Sequence, residues 1–237
     1  MLEKVAVFFD VDDTLLDNYN AFKCTLEESL PGFSEEEEFL KKLYQKFRHH
    51  SEEIYNKYRE DPTNNAHEYN RWKLVQDMIG QSNQIQSIDL DDCYHKWQSR
   101  QLLSPEMTVL LTTLKSSNIL SGILTNGFVQ HQQNKLDQLE LHQFIEPKWQ
   151  FISEKLGDAK PNVSCFHKVE EQLPPEITKI YYVGDSYRND IAPSYAAKWQ
   201  PIWLNRFSDK GGLVVPQATS SEEVVSLLLS ELLHFGK

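Results

Sequence analysis

The chain has 237 residues, a length that suits one α/β domain of about 150 residues together with a smaller helical domain. It carries 24 Lys and Arg against 35 Asp and Glu, and the net charge of −11 disfavours a nucleic acid polymer as a partner. The three cysteines are far apart and form no CxxC pair, which indicates a reducing compartment. No apolar run approaches the length of a membrane span, and no signal peptide precedes the first strand, so we expect a cytoplasmic protein with no membrane partner.

The first strand is predicted at residues 5–9, an apolar run whose β-branched and aromatic side chains are typical of a strand buried on both faces. Three carboxylates, Asp10, Asp12 and Asp13, follow this run directly. Ligands bind at the carboxyl ends of the strands in a parallel sheet, so these carboxylates could hold a metal or a reacting group. The simpler alternative is an Asp-rich turn after an edge strand.

Residues 17–103 contain no convincing strand pattern and are predicted to form an all-helical insertion. A helix start is predicted at Ser34, because acidic residues follow it where the helix dipole favours them. Apolar and aromatic side chains then recur at helical spacing, at Leu40, Leu43, Tyr44, Phe47, Trp72, Val75, Tyr94 and Trp97. This spacing favours the core of a helical bundle over a surface that binds a ligand.

From residue 104 onwards, strand and helix patterns alternate. Strands are predicted at residues 119–124, 150–153, 179–183 and 201–204, and the last helix starts with a capping box of Ser220 and Glu223. Such alternation predicts a parallel sheet with right-handed crossovers. The predicted fold class is therefore α/β, with a Rossmann-like core of residues 1–16 and 104–237, helices on both faces of the sheet, and the helical domain of residues 17–103 inserted after the first strand.

Polar residues follow the predicted core strands at or near their carboxyl ends. They are Asp10, Asp12, Thr125, Asn126, Lys160, Asp185 and Asp190. We expect these side chains to converge, because the carboxyl ends of parallel strands share one edge of a sheet. Asp10 and Asp185 offer the hard oxygen ligands that suit Mg²⁺, and Lys160 offers a compact charge for a phosphate group.

The turn at Asn126 and Gly127 opens a helix, and we expect the N–H groups of that helix to point at an anion. Each of these features also has an ordinary interpretation when it is taken alone. Thr125 to Gly127 could be a simple turn, Lys160 could lie in a surface loop, and Asp185 could cap a helix. Their combination and order are what favour a site.

Four motifs in this order give the chain a resemblance to the haloacid dehalogenase-like hydrolase superfamily over nearly all of its length. The D-x-D-x-T motif occupies residues 10–14, the strand-ending threonine is Thr125, the K-P loop is at Lys160 and Pro161, and the G-D-x-x-x-x-D motif spans residues 184–190. Asp13 stands where many members have Gly. Asp tolerates a left-handed turn, so this departure concerns the turn and not the chemistry. The insertion looks like the helical cap of one subclass, and the D-x-D-D-T and T-N-G sequences are similar to the nucleoside 5′-monophosphatase and N-acylneuraminate-9-phosphatase branch.

The resemblance implies a Mg²⁺-dependent hydrolase of small phosphate monoesters, such as nucleotides or sugar phosphates, that works through an aspartyl phosphate. In this scheme Asp10 is the nucleophile and Asp12 is the general acid and base. Mg²⁺ is held by the Asp10 carboxylate, the Asp12 backbone carbonyl and Asp185. The phosphoryl oxygens are bound by Thr125, the Asn126 N–H and Lys160, while Asp190 orders Lys160 and metal-bound water.

Three alternatives stay open at the level of the sequence. A haloacid dehalogenase would use the same nucleophile, but it needs neither a leaving-group acid nor a metal, so Asp12, Asp185 and Asp190 argue against it. The sequence does not exclude a phosphomutase. A non-catalytic binding protein is disfavoured because every motif position is filled. The sequence names neither the phosphate ester, nor the cap residues that set specificity, nor the oligomeric state.

Overall fold

The computed structural model of the chain describes residues 4–30, 32–60, 71–80 and 87–233. The chain divides into two compact units. One consists of Met1–Leu16 together with Leu102–Lys237, and the other consists of Asp17–Gln101.

The first unit is built on a six-stranded parallel sheet with the strand order β3-β2-β1-β4-β5-β6. The strands are β1 (Lys4–Phe9), β2 (Leu120–Thr125), β3 (Gln150–Ile152), β4 (Ile177–Gly184), β5 (Gln200–Leu204) and β6 (Gln217–Ala218). The central strand β1 pairs with β2 through Phe9 and Ile123, and with β4 through Phe9 and Val183. The predicted α/β fold with a parallel sheet is thereby confirmed.

Helices cover both faces of this sheet, because alternate side chains of β1 enter different apolar clusters. Val7 and Phe9 pack with the helices α5 (Pro105–Ser116), α6 (Val129–Gln138) and α10 (Ser221–Leu233). Ala6 and Phe8 face the opposite way, toward Phe166 of α8 (Val163–Glu170). Two short α-helices, α7 (Ser153–Leu156) and α9 (Ala192–Ala196), also belong to the unit, as do 3₁₀ helices at Leu141–Gln143 and Pro147–Trp149 and a π-helix at Tyr187–Ile191. This two-sided burial explains why the strand is apolar throughout.

The second unit is helical and is held together by aromatic side chains. Its helices are α1 (Asn18–Ser29), α2 (Glu37–Glu60), α3 (Arg71–Met78) and α4 (Ser87–Gln98). Trp72 is fully buried, with its ring centroid 4.7 Å from that of Phe47, 5.5 Å from that of Phe22 and 5.6 Å from that of Tyr94. The aromatic residues singled out by spacing at Phe47, Trp72 and Tyr94 therefore form core, as expected. None of the helices in the described part of the chain is long and apolar enough to cross a membrane.

The sequence analysis missed the helices α1 and α7 and the strand β6, placed several strand ends one or two residues away from their observed positions, and placed the start of α2 too early. Asp17 caps helix α1, and its side chain accepts from the Asn20 N–H at 3.1 Å, but the first turn of the helix carries no acidic residue to mark it. Strand β6 has two residues, too few to show any alternation. Helix α2 begins at Glu37 and not at Ser34, so the first acidic residues lie before the helix.

Candidate active site

The candidate site lies at the carboxyl edge of the sheet, where four neighbouring strands end. Asp10 directly follows β1, Thr125 is the last residue of β2, and Asp185 directly follows β4. Lys160 lies in the loop that follows β3 and α7. Since β3, β2, β1 and β4 are consecutive neighbours in the sheet, residues far apart in sequence meet here.

Lys160 is the centre of this site. Its Nζ donates to Asp10 Oδ1 at 2.7 Å, to Asp190 Oδ1 at 2.6 Å and to the Tyr182 hydroxyl at 2.8 Å. The Lys160 side chain is only 3% exposed, so these three contacts satisfy its donors in place of water. Asp10 and Asp190 are thus linked by one buried ammonium group.

Asn126 positions Lys160 through the backbone. The Asn126 side-chain amide donates to the Lys160 carbonyl at 2.7 Å, and its oxygen accepts from the Lys160 N–H at 3.0 Å. The side chain of Asn126 therefore connects the loop after β2 to the lysine loop. The resemblance assigns Asn126 a different role, phosphate binding through its own N–H, and that role stays a prediction.

The expectation that the first N–H groups around α6 point at an external anion is wrong for two of them. The Gly127 N–H donates to Ser153 Oγ at 2.9 Å, and the Val129 N–H donates to Glu154 Oε2 at 2.6 Å. A carboxylate of the chain itself already occupies the favourable position at this helix start. The sequence could not show this, because Glu154 comes from α7, 25 residues later.

Asp190 is bound on both of its oxygens. Oδ1 accepts from Lys160, and Oδ2 accepts from the Ser186 N–H at 2.9 Å. A β-carbon on Gly184 would lie 2.5 Å from the Asp190 β-carbon, so only glycine lets Asp190 approach this closely. The arrangement suits Asp190 for holding Lys160 rather than for binding a metal directly.

Two buried carboxylates at this edge of the sheet share one ammonium group. Burial raises the pKa of Asp10 to about 7 although Lys160 opposes the shift, and the nearby Asp190 and Asp12 add to the rise. Burial lowers the pKa of Lys160, but the attraction of Asp10 and Asp190 outweighs it, and the net shift is upward. Lys160 therefore stays an ammonium, and its charge is shared by the two carboxylates that it contacts, those of Asp10 and Asp190, beside which the buried carboxylate of Asp185 lies.

This charge pattern fits a divalent cation. Asp10, Asp185 and Asp190 each offer a carboxylate oxygen, and these oxygens all lie within 4.8 Å of one another. Hard oxygen ligands of this kind suit Mg²⁺, which takes one or two carboxylates and keeps several waters. Because both oxygens of Asp190 are already bound, Asp10 and Asp185 are the better direct ligands.

Asp12 lies on the other side of the turn and has its own partners. Lys135 Nζ donates to Asp12 Oδ1 at 2.6 Å and to Oδ2 at 2.8 Å, and Gln132 Nε2 donates to Oδ2 at 3.1 Å. The oxygen of Gln132 accepts from Thr125 Oγ1 at 3.3 Å. The next residue, Asp13, has a φ of +58°, so it does adopt the left-handed conformation that Asp was expected to tolerate.

The sequence analysis missed four side chains that hold the site together. They are Gln132, Lys135, Tyr182 and Trp203; Trp203 Nε1 donates to the Asp185 carbonyl at 2.8 Å. Two of these four residues could have been recognised from the sequence. Gln132 takes an apolar position of α6, between Val129 and Leu136, and Tyr182 brings a hydroxyl into a buried strand, where it needs a partner.

Comparison with known proteins gives a family and several relatives. The family model described as haloacid dehalogenase-like hydrolase matches residues 7–203. Pyrimidine 5′-nucleotidase YjjG of Escherichia coli is 33% identical over 102 residues, which cover 43% of this chain and 44% of that enzyme. Glyceraldehyde 3-phosphate phosphatase of Methanothermobacter thermautotrophicus is 26% identical over 84% of this chain and 85% of its own length. N-acylneuraminate-9-phosphatase of Rattus norvegicus is 25% identical over 94% and 90%, respectively.

Solved structures share the fold. A HAD hydrolase, YfnB from Bacillus subtilis, bound to magnesium, has a TM-score of 0.67 at 20% identity, over 96% of this chain and 99% of that one. A dehalogenase in an intermediate complex has a TM-score of 0.70 at 18% identity, over 96% and 98%. At such identities the likeness concerns the fold alone, and the chemistry has to be argued from the side chains.

Proposed function

The chain belongs to the haloacid dehalogenase-like hydrolase family, and from this premise we propose that it is a Mg²⁺-dependent phosphatase of small phosphate monoesters. The observation that carries the proposal is the buried contact of Lys160 with Asp10 and Asp190, next to Asp185. This arrangement offers a nucleophile, a cation site and a fixed positive charge within one cluster.

Asp10 is the proposed nucleophile. It would attack phosphorus and form an aspartyl phosphate, which divides one difficult displacement into two easier steps. The attacking group must be a carboxylate, and Lys160 at 2.7 Å favours that form against the effect of burial. A Mg²⁺ ion held by Asp10, Asp185 and the Asp12 carbonyl would neutralise charge on the transferred phosphoryl group.

Asp12 is the proposed general acid and base. It would protonate the leaving oxygen in the first step and take a proton from the attacking water in the second. Its side chain is 32% exposed, whereas that of Asp10 is 9% exposed, so water can reach Asp12 more easily. The two aspartates thus have environments that suit different roles.

The phosphoryl group would be bound by Thr125, the Asn126 N–H and Lys160. Thr125 is 1% exposed and its hydroxyl is hydrogen-bonded to Gln132 at 3.3 Å, at the upper end of the usual range. Lys160 would act mainly through its charge, because its three donors are already engaged. Such preorganised groups stabilise charge that develops in the transition state.

We assign substrate choice to the helical domain of residues 17–103 and the chemistry to the core of residues 1–16 and 104–237. In this arrangement the helical domain is the cap that selects the leaving group. The similarity to a nucleotidase, a triose phosphate phosphatase and a sugar acid phosphatase supports a small phosphorylated metabolite as the substrate. The three cysteines, Cys24, Cys93 and Cys165, are free thiols, which supports a reducing, cytoplasmic setting.

A dehalogenase is the main rival, because solved dehalogenases share the fold. Carbon–halogen cleavage needs no proton donor and no metal. The structure nevertheless provides a carboxylate at Asp12 that Lys135 holds in place. It also provides three clustered carboxylates, those of Asp10, Asp185 and Asp190. These features favour phosphoryl transfer, by hydrolysis or by a mutase.

A substrate screen tests the proposal. Nucleotides, sugar phosphates and phosphorylated organic acids are incubated with Mg²⁺ or with excess chelator, and phosphate release is measured. A 2-haloacid with halide detection and a sugar phosphate with detection of isomers run in parallel, with Asp10→Asn as the control enzyme. Phosphate release that needs Mg²⁺ and Asp10 supports the proposal. Halide release without metal, or phosphate migration without hydrolysis, would replace it with the dehalogenase or the mutase.

A further inference from the structure

Asp12 is hydrogen-bonded by Gln132 and Lys135, two residues of α6 that belong to none of the four motifs. The Lys135 ammonium contacts both carboxylate oxygens, at 2.6 and 2.8 Å, and Gln132 donates to one of them at 3.1 Å. The Lys135 side chain is 21% exposed, so the ion pair is partly shielded from water. Two points of attachment from Lys135 and one from Gln132 leave the carboxylate little freedom to rotate.

Gln132 also reaches the proposed phosphate site. Its oxygen accepts from the Thr125 hydroxyl at 3.3 Å, while its amide nitrogen donates to Asp12. Gln132 is 4% exposed and packs against Gly127, where a β-carbon would lie 2.8 Å from Nε2. One buried amide therefore joins Thr125 to Asp12, and the glycine of the T-N-G sequence leaves room for it.

Packing alone does not explain these residues. Position 132 lies between Val129 and Leu136 on the side of α6 that faces the core, where an apolar side chain would pack without polar partners. A buried amide is unfavourable unless its groups are hydrogen-bonded, and here both are bonded to residues of the site. The hydrogen bonds to Thr125 and Asp12 therefore account for the polar side chain at position 132.

We propose that Gln132 and Lys135 are positioning residues that hold Asp12 in place for proton transfer and that Gln132 couples it to the phosphate-binding Thr125. The inference rests on the proposed function, in which Asp12 is the acid and base. Proton transfer requires the carboxylate within about 2.6–3.2 Å of the reacting oxygen, so a carboxylate free to rotate would be a poorer catalyst. Neither residue contacts the leaving group in this scheme; both act through Asp12.

A double-mutant cycle tests this. Lys135→Met and Gln132→Leu are made in the wild type and in Asp12→Ala, and rates of phosphoenzyme formation and breakdown are measured in single turnovers. The substrates are the best alkyl phosphate from the screen and 4-nitrophenyl phosphate. In the wild type we expect each variant to lose roughly 10- to 100-fold in kcat for the alkyl ester, with KM little changed. In Asp12→Ala, Lys135→Met should cause no further loss, because the group that Lys135 holds is gone, and Gln132→Leu should keep only the smaller loss that comes through Thr125.

Matched variants separate positioning from folding. Lys148→Met removes an exposed lysine that pairs with Glu146, and Gln133→Leu changes the next residue of α6, whose amide contacts Asp137; both should keep full activity. Lys135→Arg should recover part of the loss, because it can still pair with a carboxylate. Lys135→Gln replaces Lys135→Met if the latter does not fold.

The outcomes distinguish the two proposals. If the wild type forms a phosphoenzyme but the losses multiply in the Asp12→Ala background, or if Lys135→Met and Gln132→Leu keep normal turnover, the positioning role is wrong and the phosphatase stands. If the wild type forms no phosphoenzyme on Asp10, the proposed function fails and the inference fails with it.

Discussion

The Tyr182 hydroxyl lies 2.8 Å from Lys160 Nζ in the interior of the core and accepts the one lysine hydrogen bond that does not go to a carboxylate. The same hydroxyl donates to the Leu124 carbonyl at 2.8 Å. Burial raises the pKa of Tyr182 well above its ordinary value, with Asp190 and Asp10 adding to the effect, so the phenol stays protonated. Tyr182 thus ties the lysine of the site to the strand β2 beside it.

Tyr182→Phe should weaken both folding and turnover. It leaves one donor of the buried Lys160 and one backbone carbonyl without their partner, and such a loss costs about 1–3 kcal/mol. We expect that decrease in the free energy of unfolding from urea titration, and a lower kcat because Lys160 is less well held. Tyr181→Phe is the matched control: its hydroxyl bonds to Glu231 and not to the site, so activity should be unchanged. Equal effects of the two changes would show that the contact with Lys160 is unimportant.

The second prediction concerns Mg²⁺ and pH. The raised pKa of Asp10 means that its contribution to stability is fully present below 3.8 and is lost as the pH rises through about 7. A bound cation would replace the proton as the group that neutralises the Asp10 carboxylate. We therefore expect Mg²⁺ to raise the Tm more at pH 8 than at pH 5. At pH 8, Mg²⁺ at 100 times its Kd should stabilise the folded protein by about 2.7 kcal/mol.

Asp185→Asn should reduce this Mg²⁺-dependent rise in Tm, since it removes one of the two carboxylates proposed as direct ligands. Asp137→Asn, at an exposed position of α6, should keep it. Chelator should abolish phosphatase activity and Mg²⁺ should restore it. A Tm that does not respond to Mg²⁺ at either pH, or full activity in chelator, would show that the carboxylate cluster is not a metal site.

The third prediction separates the two leading aspartates. Asp10→Asn should abolish turnover of every substrate, because the nucleophile is lost. Asp12→Asn should lose about 10²–10⁴-fold with an alkyl phosphate, whose leaving group needs a proton. It should lose less in the first step with 4-nitrophenyl phosphate, since nitrophenolate leaves without a proton. The second step still needs a base, so the phosphoenzyme should accumulate.

Rapid quench with labelled substrate, hydroxylamine cleavage and mass spectrometry of the peptide that contains Asp10 would detect this phosphoenzyme. Label on Asp10 in Asp12→Asn, and none in Asp10→Asn, is the expected pattern. Label on a His, Ser or Cys side chain would assign the nucleophile elsewhere, and equal losses without any trapped species would refute the division of roles.

The fourth prediction concerns the helical unit, where Asp91 joins α3 to α4. Its Oδ1 accepts from Arg71 at 2.7 and 2.9 Å and from the Trp72 indole at 2.9 Å, while the Arg71 guanidinium lies 4.9 Å from the ring centroid of Tyr94. Burial would raise the pKa of Asp91, but Arg71 and the hydrogen bonds outweigh it and hold the pKa below its ordinary value of 3.8.

Because that pKa is lowered, the stabilising contribution of Asp91 is present above pH 3.8 and is lost as the pH falls through the folded-state value. Asp91→Asn should therefore destabilise the protein at pH 7, by about 1 kcal/mol given the partial exposure of the carboxylate, and the difference should shrink in acid. Thermal unfolding from pH 7 to pH 3 measures it, with the exposed Asp92→Asn as control. A difference that is constant with pH would mean that the charge of Asp91 is not involved.

The sequence by itself determined the fold class and the order of the motifs. The runs at residues 5–9 and 180–183 are made of apolar and aromatic residues because both faces of β1 and β4 are covered, and such runs are local signals. The parallel arrangement then places Asp10, Thr125, Lys160 and Asp185 at one edge by topology. The elements α1 and β6 have weak local signals and were not predicted, because their formation depends on packing against residues that are distant in sequence.

Only the tertiary structure decided which side chains touch. Lys160 meets Asp10 across 150 residues, Lys135 meets Asp12 across 123, and Asn126 meets the Lys160 backbone across 34. No periodicity links such pairs, since helical and strand patterns report neighbours a few residues apart. The Gly127 and Val129 N–H groups at the start of α6 were expected to point at an external anion, but they donate to Ser153 and Glu154. These partners are also too distant in sequence for a local pattern to reveal them. Motifs mark where chemistry can occur, whereas the partners that hold each motif residue come from elements that only folding brings together.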